Sequence, residues 1–154
     1  MESKEALIEA LGLKHVVRAG WIRAGVENPE SVASHSWGMA MLATQICPEE
    51  LNLQRVLELC ILHDIAEVHV GDITPHDNVS PERKHLLESE AIQRMGIEAQ
   101  SAFSEYEEQV TPEAKFVRYL DKLDMALQAE TVSYTHLRAH ETLRYRGLRV
   151  GGGK

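Results

Sequence analysis

Between residues 1 and 130 the chain never sustains the alternation of apolar and polar side chains that a half-buried strand needs. Apolar residues return every three or four positions instead, and proline repeatedly follows a hydroxyl side chain, so helices are the elements this chain can build. SKEALIEALGL gives a first helix, with Ser3 as N-cap and Ala6, Leu7 and Ala10 on one side. A second begins near Ser31 and carries Val32, His35, Met39, Leu42 and Ile46 in phase. The third is expected to open with Pro48 in its first turn, keep Val56, Leu59, Cys60 and His63 on one face, and stop before Gly71. GDITPHDN then reads as a turn-rich loop. Ser80-Pro81-Glu82 supplies a cap, a first-turn proline and an acidic first turn for a fourth helix ending near Gly96. Thr111-Pro112-Glu113 repeats that signal for a last helix through about Ala129.

A chain of 154 residues is expected to form one all-α domain, burying about two-thirds of the surface its unfolded form would expose. Cys47 and Cys60 both fall in apolar helical patterns, which reads as reduced hydrophobic filler rather than a disulfide. No run approaches a membrane span, and MESKEALIEALG lacks the apolar block of a secretion signal, so a cytoplasmic protein is expected. The formal charge of −8 repels phosphate backbones, which argues against nucleic acid and for a small-molecule ligand. Residues 131–154 depart from the rest, with five Lys/Arg against one Asp/Glu and no apolar periodicity. VSYTHLRAHET resembles translated sequencing-adapter read-through. The expected division is therefore a domain over 1–130 and a non-native tail over 131–154, with native C-terminal helices missing; His136 and His140 are set aside with the tail.

The chemistry concentrates in "ILHDIAEVHVGDI". On a continuous helix His63 and Glu67 stand one turn apart on the same side, with Asp64 turned by about 100°, so all three can address one space. An imidazole beside a carboxylate suits a divalent cation, yet two ligands do not hold one firmly. His35 lies on the apolar face of the second helix, while YLDKLDMALQA puts Asp121 and Asp124 in phase with Val117, Leu120 and Leu127. A buried carboxylate needs compensation, and a metal shared with His35, His63 and Asp64 would provide it. The plainer alternatives are a hydrogen-bonded core histidine at His35, a salt bridge from Asp121 to Arg118 or Lys122, and a solvated helix-end carboxylate at Glu67.

In "LKHVVRAGW", "PESVASHSWGMAMLA", "LHDIAEVHVGDITP" and "YLDKLDMALQA" the chain resembles the HD-domain metal-dependent phosphohydrolases, most closely their 5′-deoxynucleotidase branch. The resemblance spans Leu13 to Ala129 and implies an HD-domain helical bundle holding one divalent metal ion: Mn, Co, Mg, Fe or Zn. It implies His35, His63, Asp64 and Asp121 as ligands, with Asp121 preferred to Asp124 because it leads the D-K-L-D run. Glu67 would orient or deprotonate the attacking water. Asp72 would contact the sugar or phosphate and assist protonation of the leaving oxygen, with Thr74 donating to the same ligand. Arg18 matches a phosphate-binding arginine. Ala19 and Gly20 separate it from Trp21, which departs from the pattern of the bacterial members and weakens the assignment of Trp21 to substrate. His69 and His76 read as loop histidines.

The expected activity is release of phosphate from (deoxy)nucleoside 5′-monophosphates, with a nucleotide as the small-molecule partner and a homodimer by family likeness. The alternatives are an HD hydrolase of nucleoside di- or triphosphate derivatives, and a regulatory domain that binds metal or nucleotide without turnover.

Overall fold

The computed structural model describes the backbone of residues 3–148 and the side chains of 4–133. The eight α-helices among the described residues are α1 (Ser3–Ala10), α2 (Ala19–Arg23), α3 (Val32–Ile46), α4 (Leu53–Leu62), α5 (Glu67–Val70), α6 (Pro81–Met95), α7 (Gln100–Glu108) and α8 (Pro112–Leu148). Short 3₁₀ turns occupy Leu11–His15 and Pro75–Asp77, and the described residues contain no strand, only an isolated bridge between Val17 and Ser31.

The capping chemistry fixes several boundaries. Ser31 accepts from Ser34 N and Ser80 from Arg83 N, starting α3 and α6, and Gly96, with φ 66°, ends α6 in the left-handed conformation that glycine adopts freely. Thr111 Oγ1 accepts from Ala114 N at 3.1 Å and starts α8. Pro48, expected to open the third helix, instead closes the second: Cys47 before it is extended, as a residue preceding proline prefers, and α4 starts at the cap Asn52, whose side chain accepts from Arg55 N. Nor does α4 run on toward Gly71. It stops at Leu62, and residues 63–66 turn through i+3 bonds such as Glu67 N to Asp64 O at 3.0 Å before α5 begins. His63 and Glu67 therefore flank a tight turn. They do not share one continuous helix.

Other departures are smaller. Leu7, expected on the packed side of α1, is exposed, as is Leu127 on α8, and His69 sits on α5 paired with Glu9 rather than in a loop. α8 continues to Leu148, past the expected end near Ala129; the side chains of His136 and His140 lie outside the described residues.

Two apolar clusters make the interior. Met39, Val56, Leu59, Cys60, Val117 and Leu120 join α3, α4 and α8. Leu13, Val32, Ile65, Ile92, Met95 and Phe103 fill the space beneath α6 and the 63–66 turn. Leu62 packs against both, so the residues immediately after it lie where the clusters meet.

Candidate metal centre

His35 faces inward from α3 because it shares a stripe with Val32 and Met39, and all three are fully buried. Its Nδ1 lies 2.7 Å from Asp124 Oδ2. His63, the C-cap of α4, sets Nδ1 3.0 Å from the carbonyl of Cys60. Each acceptor is lone-pair only, so each ring carries its proton on Nδ1 in the neutral form and turns the lone pair of Nε2 the other way. The Nε2 atoms are buried without a hydrogen-bond partner, 3.2 Å from Asp121 Oδ1 for His35 and 3.0 Å from Asp64 Oδ2 for His63. The rings stand 5.8 Å apart, and His35, His63 and Asp64 each offer a ligand atom within 4.8 Å of the others. Asp121 adjoins this trio through His35, and its second oxygen accepts from the Tyr106 hydroxyl at 3.2 Å. Two orphaned imidazole nitrogens beside two carboxylates are a donor set that fits a divalent cation.

The electrostatics point the same way. Burial alone would raise the Asp64 carboxyl, but His63, His35 and Arg18 outweigh it and hold that group well below the usual carboxylate range. Burial likewise opposes ionisation of Asp121, and His35 again wins, keeping its pKa low. For His35 burial favours the neutral ring, yet the Asp121 and Asp124 carboxylates raise it from 6.5 to about 9. Asp64 and Asp121 are thus both held as carboxylates in the metal-free protein.

Glu67 opens α5 and is 2 % exposed, not the solvated helix-end carboxylate that was its plainer alternative. Burial, with Asp64 and Asp72 nearby, drives its pKa up to about 10. One of its oxygens, Oε2, has no partner. His63, Asp64, Glu67 and Asp121 border a cavity of about 630 Å³. Arg18, Trp21, Asp72 and Thr74 line it too, but each is also engaged elsewhere. Arg18 Nη1 is 3.9 Å from Asp64 Oδ2; Trp21 Nε1 donates to Glu30 at 3.1 Å; Asp72 Oδ2 accepts from Ala19 N at 2.7 Å and so caps α2 from a distant loop. Thr74 caps the Pro75–Asp77 turn and its hydroxyl meets Arg23 and Asp77. Asp121 makes neither of the salt bridges considered from sequence.

Sequence reasoning missed the Lys84–Glu88 pair, 3.4 Å apart on the cavity wall, and the Tyr106 contact. Glu88 was findable: it is in phase with the buried Ala91, Ile92 and Met95, the same signal of a carboxylate on an apolar stripe that drew attention to Asp121.

A profile of the HD domain matches residues 10–146. The chain belongs to the HD-domain family. An HD domain implies a divalent metal, and the His/Asp group described above is where this one offers ligands. Among relatives, the 5′-deoxynucleotidase hdd1 of Schizosaccharomyces pombe is 43% identical over 129 residues, 75% of this chain and 65% of that protein. The human 5′-deoxynucleotidase HDDC2 is 42% identical over 125 residues, 76% of this chain and 61% of its own. The chain thus spans less than two-thirds of the length of these curated relatives. A conserved hypothetical protein from Pyrococcus furiosus superposes with a TM-score of 0.78 at 31% identity, covering 86% of this HD domain chain and 80% of that one. A protein described as a predicted metal-dependent phosphohydrolase from Magnetospirillum magnetotacticum gives 0.64 at 28% identity, with 79% and 67% covered.

Proposed function

We propose that the chain is a metal-dependent phosphomonoester hydrolase releasing phosphate from (deoxy)nucleoside 5′-monophosphates. The observation that carries this reading is the pair of orphaned Nε2 atoms of His35 and His63 beside Asp64 and Asp121, with His63, Asp64, Asp121 and Glu67 all bordering one cavity. The relatives named 5′-deoxynucleotidase support the substrate class. His35, His63, Asp64 and Asp121 would hold one ion, Mn²⁺, Co²⁺, Mg²⁺, Fe²⁺ or Zn²⁺ by donor chemistry. Such an ion supplies Lewis acidity, acidifying water and screening charge on the phosphoryl oxygens.

The remaining steps belong to side chains. Glu67 takes the proton of the water that attacks phosphorus; a cation held beside Asp64 would offset the carboxylate part of what raises its pKa, and water admitted to the cavity the larger part that comes from burial. Arg18 offers a forked donor to the phosphoryl group. Asp72 borders the same space and assists protonation of the ester oxygen as the P–O bond breaks, the proton being the one Glu67 removed from water, while Trp21 and Thr74 flank the nucleoside. A phosphate-release screen over ribo- and deoxynucleoside monophosphates with each ion tests the reading. Pyrophosphate or triphosphate as product would move the chain to hydrolysis of higher nucleotides, and metal binding without turnover would make it a binding domain.

Three further readings accompany it. The exposed Trp37 and Met41, one turn apart on α3, support a homodimer, which a monomer mass by light scattering would refute. A cytoplasmic site of action is supported by the free cysteines; among the described residues no helix is long and apolar enough to cross a membrane, and cell fractionation checks the compartment. Residues 131–154 are proposed to be non-native on their composition and adapter-like segment, to be checked by resequencing the genomic 3′ end.

A further inference from the structure

We propose that Asp124 is a positioning residue, holding His35 so that Nε2 faces the cation site, and that residue 38 is glycine to make room for it. The inference deepens the proposed function and rests on its metal site. It starts from an asymmetry between the two rings. His63 gives its Nδ1 proton to a neutral backbone carbonyl, at 3.0 Å, whereas His35 gives its own to a carboxylate, Asp124 Oδ2, at 2.7 Å. A carboxylate accepts only, so it selects the Nδ1–H tautomer and leaves Nε2 as a lone pair. Its charge also makes the imidazole a stronger donor to a metal.

Gly38 supplies independent geometry. It lies on α3 one turn beyond His35, in a helix interior where glycine is otherwise a poor choice. A Cβ built at Gly38 would overlap Asp124 Oδ1 and stand 3.0 Å from its Cγ. The missing side chain is what lets the carboxylate of α8 reach the ring edge of α3. Asp124 is also half-withdrawn from solvent, 14 % exposed, so water does not readily replace it. Glu30, whose carboxylate also comes within 4.8 Å of His35 and Asp124 ligand atoms, is already bound to the Trp21 indole.

The test uses the full chain, stripped of metal and titrated with Co²⁺, reading both the dissociation constant and the visible absorption of the bound ion. Asp124→Ala and Gly38→Ala are each expected to weaken Co²⁺ binding by about 10–100-fold and to change the absorption, because the ring is no longer locked. Asp124→Asn keeps an oxygen acceptor for Nδ1–H without the charge and should fall between. A merely structural role would lower the melting temperature of the metal-free variants and leave the dissociation constant of the folded protein unchanged. That result in Asp124→Ala and Gly38→Ala overturns the inference; if Asp124→Ala does not fold, an unchanged constant and spectrum in Asp124→Asn overturn it. Asp121→Ala separates the two levels. Should it lose Co²⁺ while the Asp124 variants bind normally, only the role of Asp124 falls. Should Asp121→Ala bind normally while Glu30→Ala loses the ion, the cation sits with Glu30 and Asp124 instead, and the proposed metal site falls with it.

Discussion

Glu67 combines deep burial with two carboxylate neighbours, and its pKa of about 10 in the metal-free protein has a measurable consequence. A carboxyl whose folded pKa lies above its unfolded value binds its proton more tightly in the native state. Native stability therefore declines as pH rises from about 4.5 toward 10. Glu67→Gln removes that liability. The metal-free variant should melt higher than the parent at neutral pH, with the difference growing at alkaline pH, as calorimetry would show. The same substitution should reduce phosphate release by about 10²–10⁴-fold while metal remains bound, which separates a proton acceptor from a ligand. Asp121→Ala should do the reverse: elemental analysis should find the ion depleted. At this scale the sequence carried much of the candidate site, because His35, His63 and Asp121 are polar residues on apolar stripes and Asp64 and Glu67 follow His63 within one short segment. It did not carry which carboxylate faces which ring nitrogen, since Asp121 and Asp124 are both in phase and only the approach of α3 and α8 distinguishes them.

Among elements, the turn between α4 and α5 does the positioning that a straight helix had been expected to do. The expectation failed because 61–70 reads as unbroken apolar periodicity, with no proline or glycine to announce the i+3 bonds of 63–66. Starts with a side-chain oxygen before proline, at Ser80 and Thr111, were legible; Pro48 was misleading because it ends an element rather than beginning one. α2 and α7 escaped notice for a common reason, neither having a capping side chain of its own. Beyond α5, Gly71 has φ 73° and ψ 172°, a region that essentially only glycine occupies. Gly71→Ala is expected to cost about 1–3 kcal/mol in urea unfolding. It should also disturb Asp72, whose carboxylate caps α2 and so holds Arg18 and Trp21 at the cavity.

For the molecule as a whole, His35 and Glu67 act in the same direction. His35, raised to about 9, contributes stability that is complete below pH 6.5 and lost as pH climbs through 9. The Glu67 contribution falls over an overlapping window. Chelator-treated protein should thus lose melting temperature steadily between about pH 6.5 and 9, and metal affinity should strengthen over that interval as the His35 proton becomes easier to displace. At 100 times the dissociation constant, added ion should contribute about 2.7 kcal/mol, or roughly 2–4 °C per kcal/mol for a domain of this size.

The ligand side chains lie along the seam between the two apolar clusters, and the His35–Asp124 contact joins positions 89 residues apart. A bound ion there acts as a removable rivet between segments that the backbone connects only distantly. Amide protons of α3 and the first half of α8 should consequently exchange with deuterium as one cooperative unit, slowing together when metal is added, while those of α1, which carries none of the ligands, keep their rates.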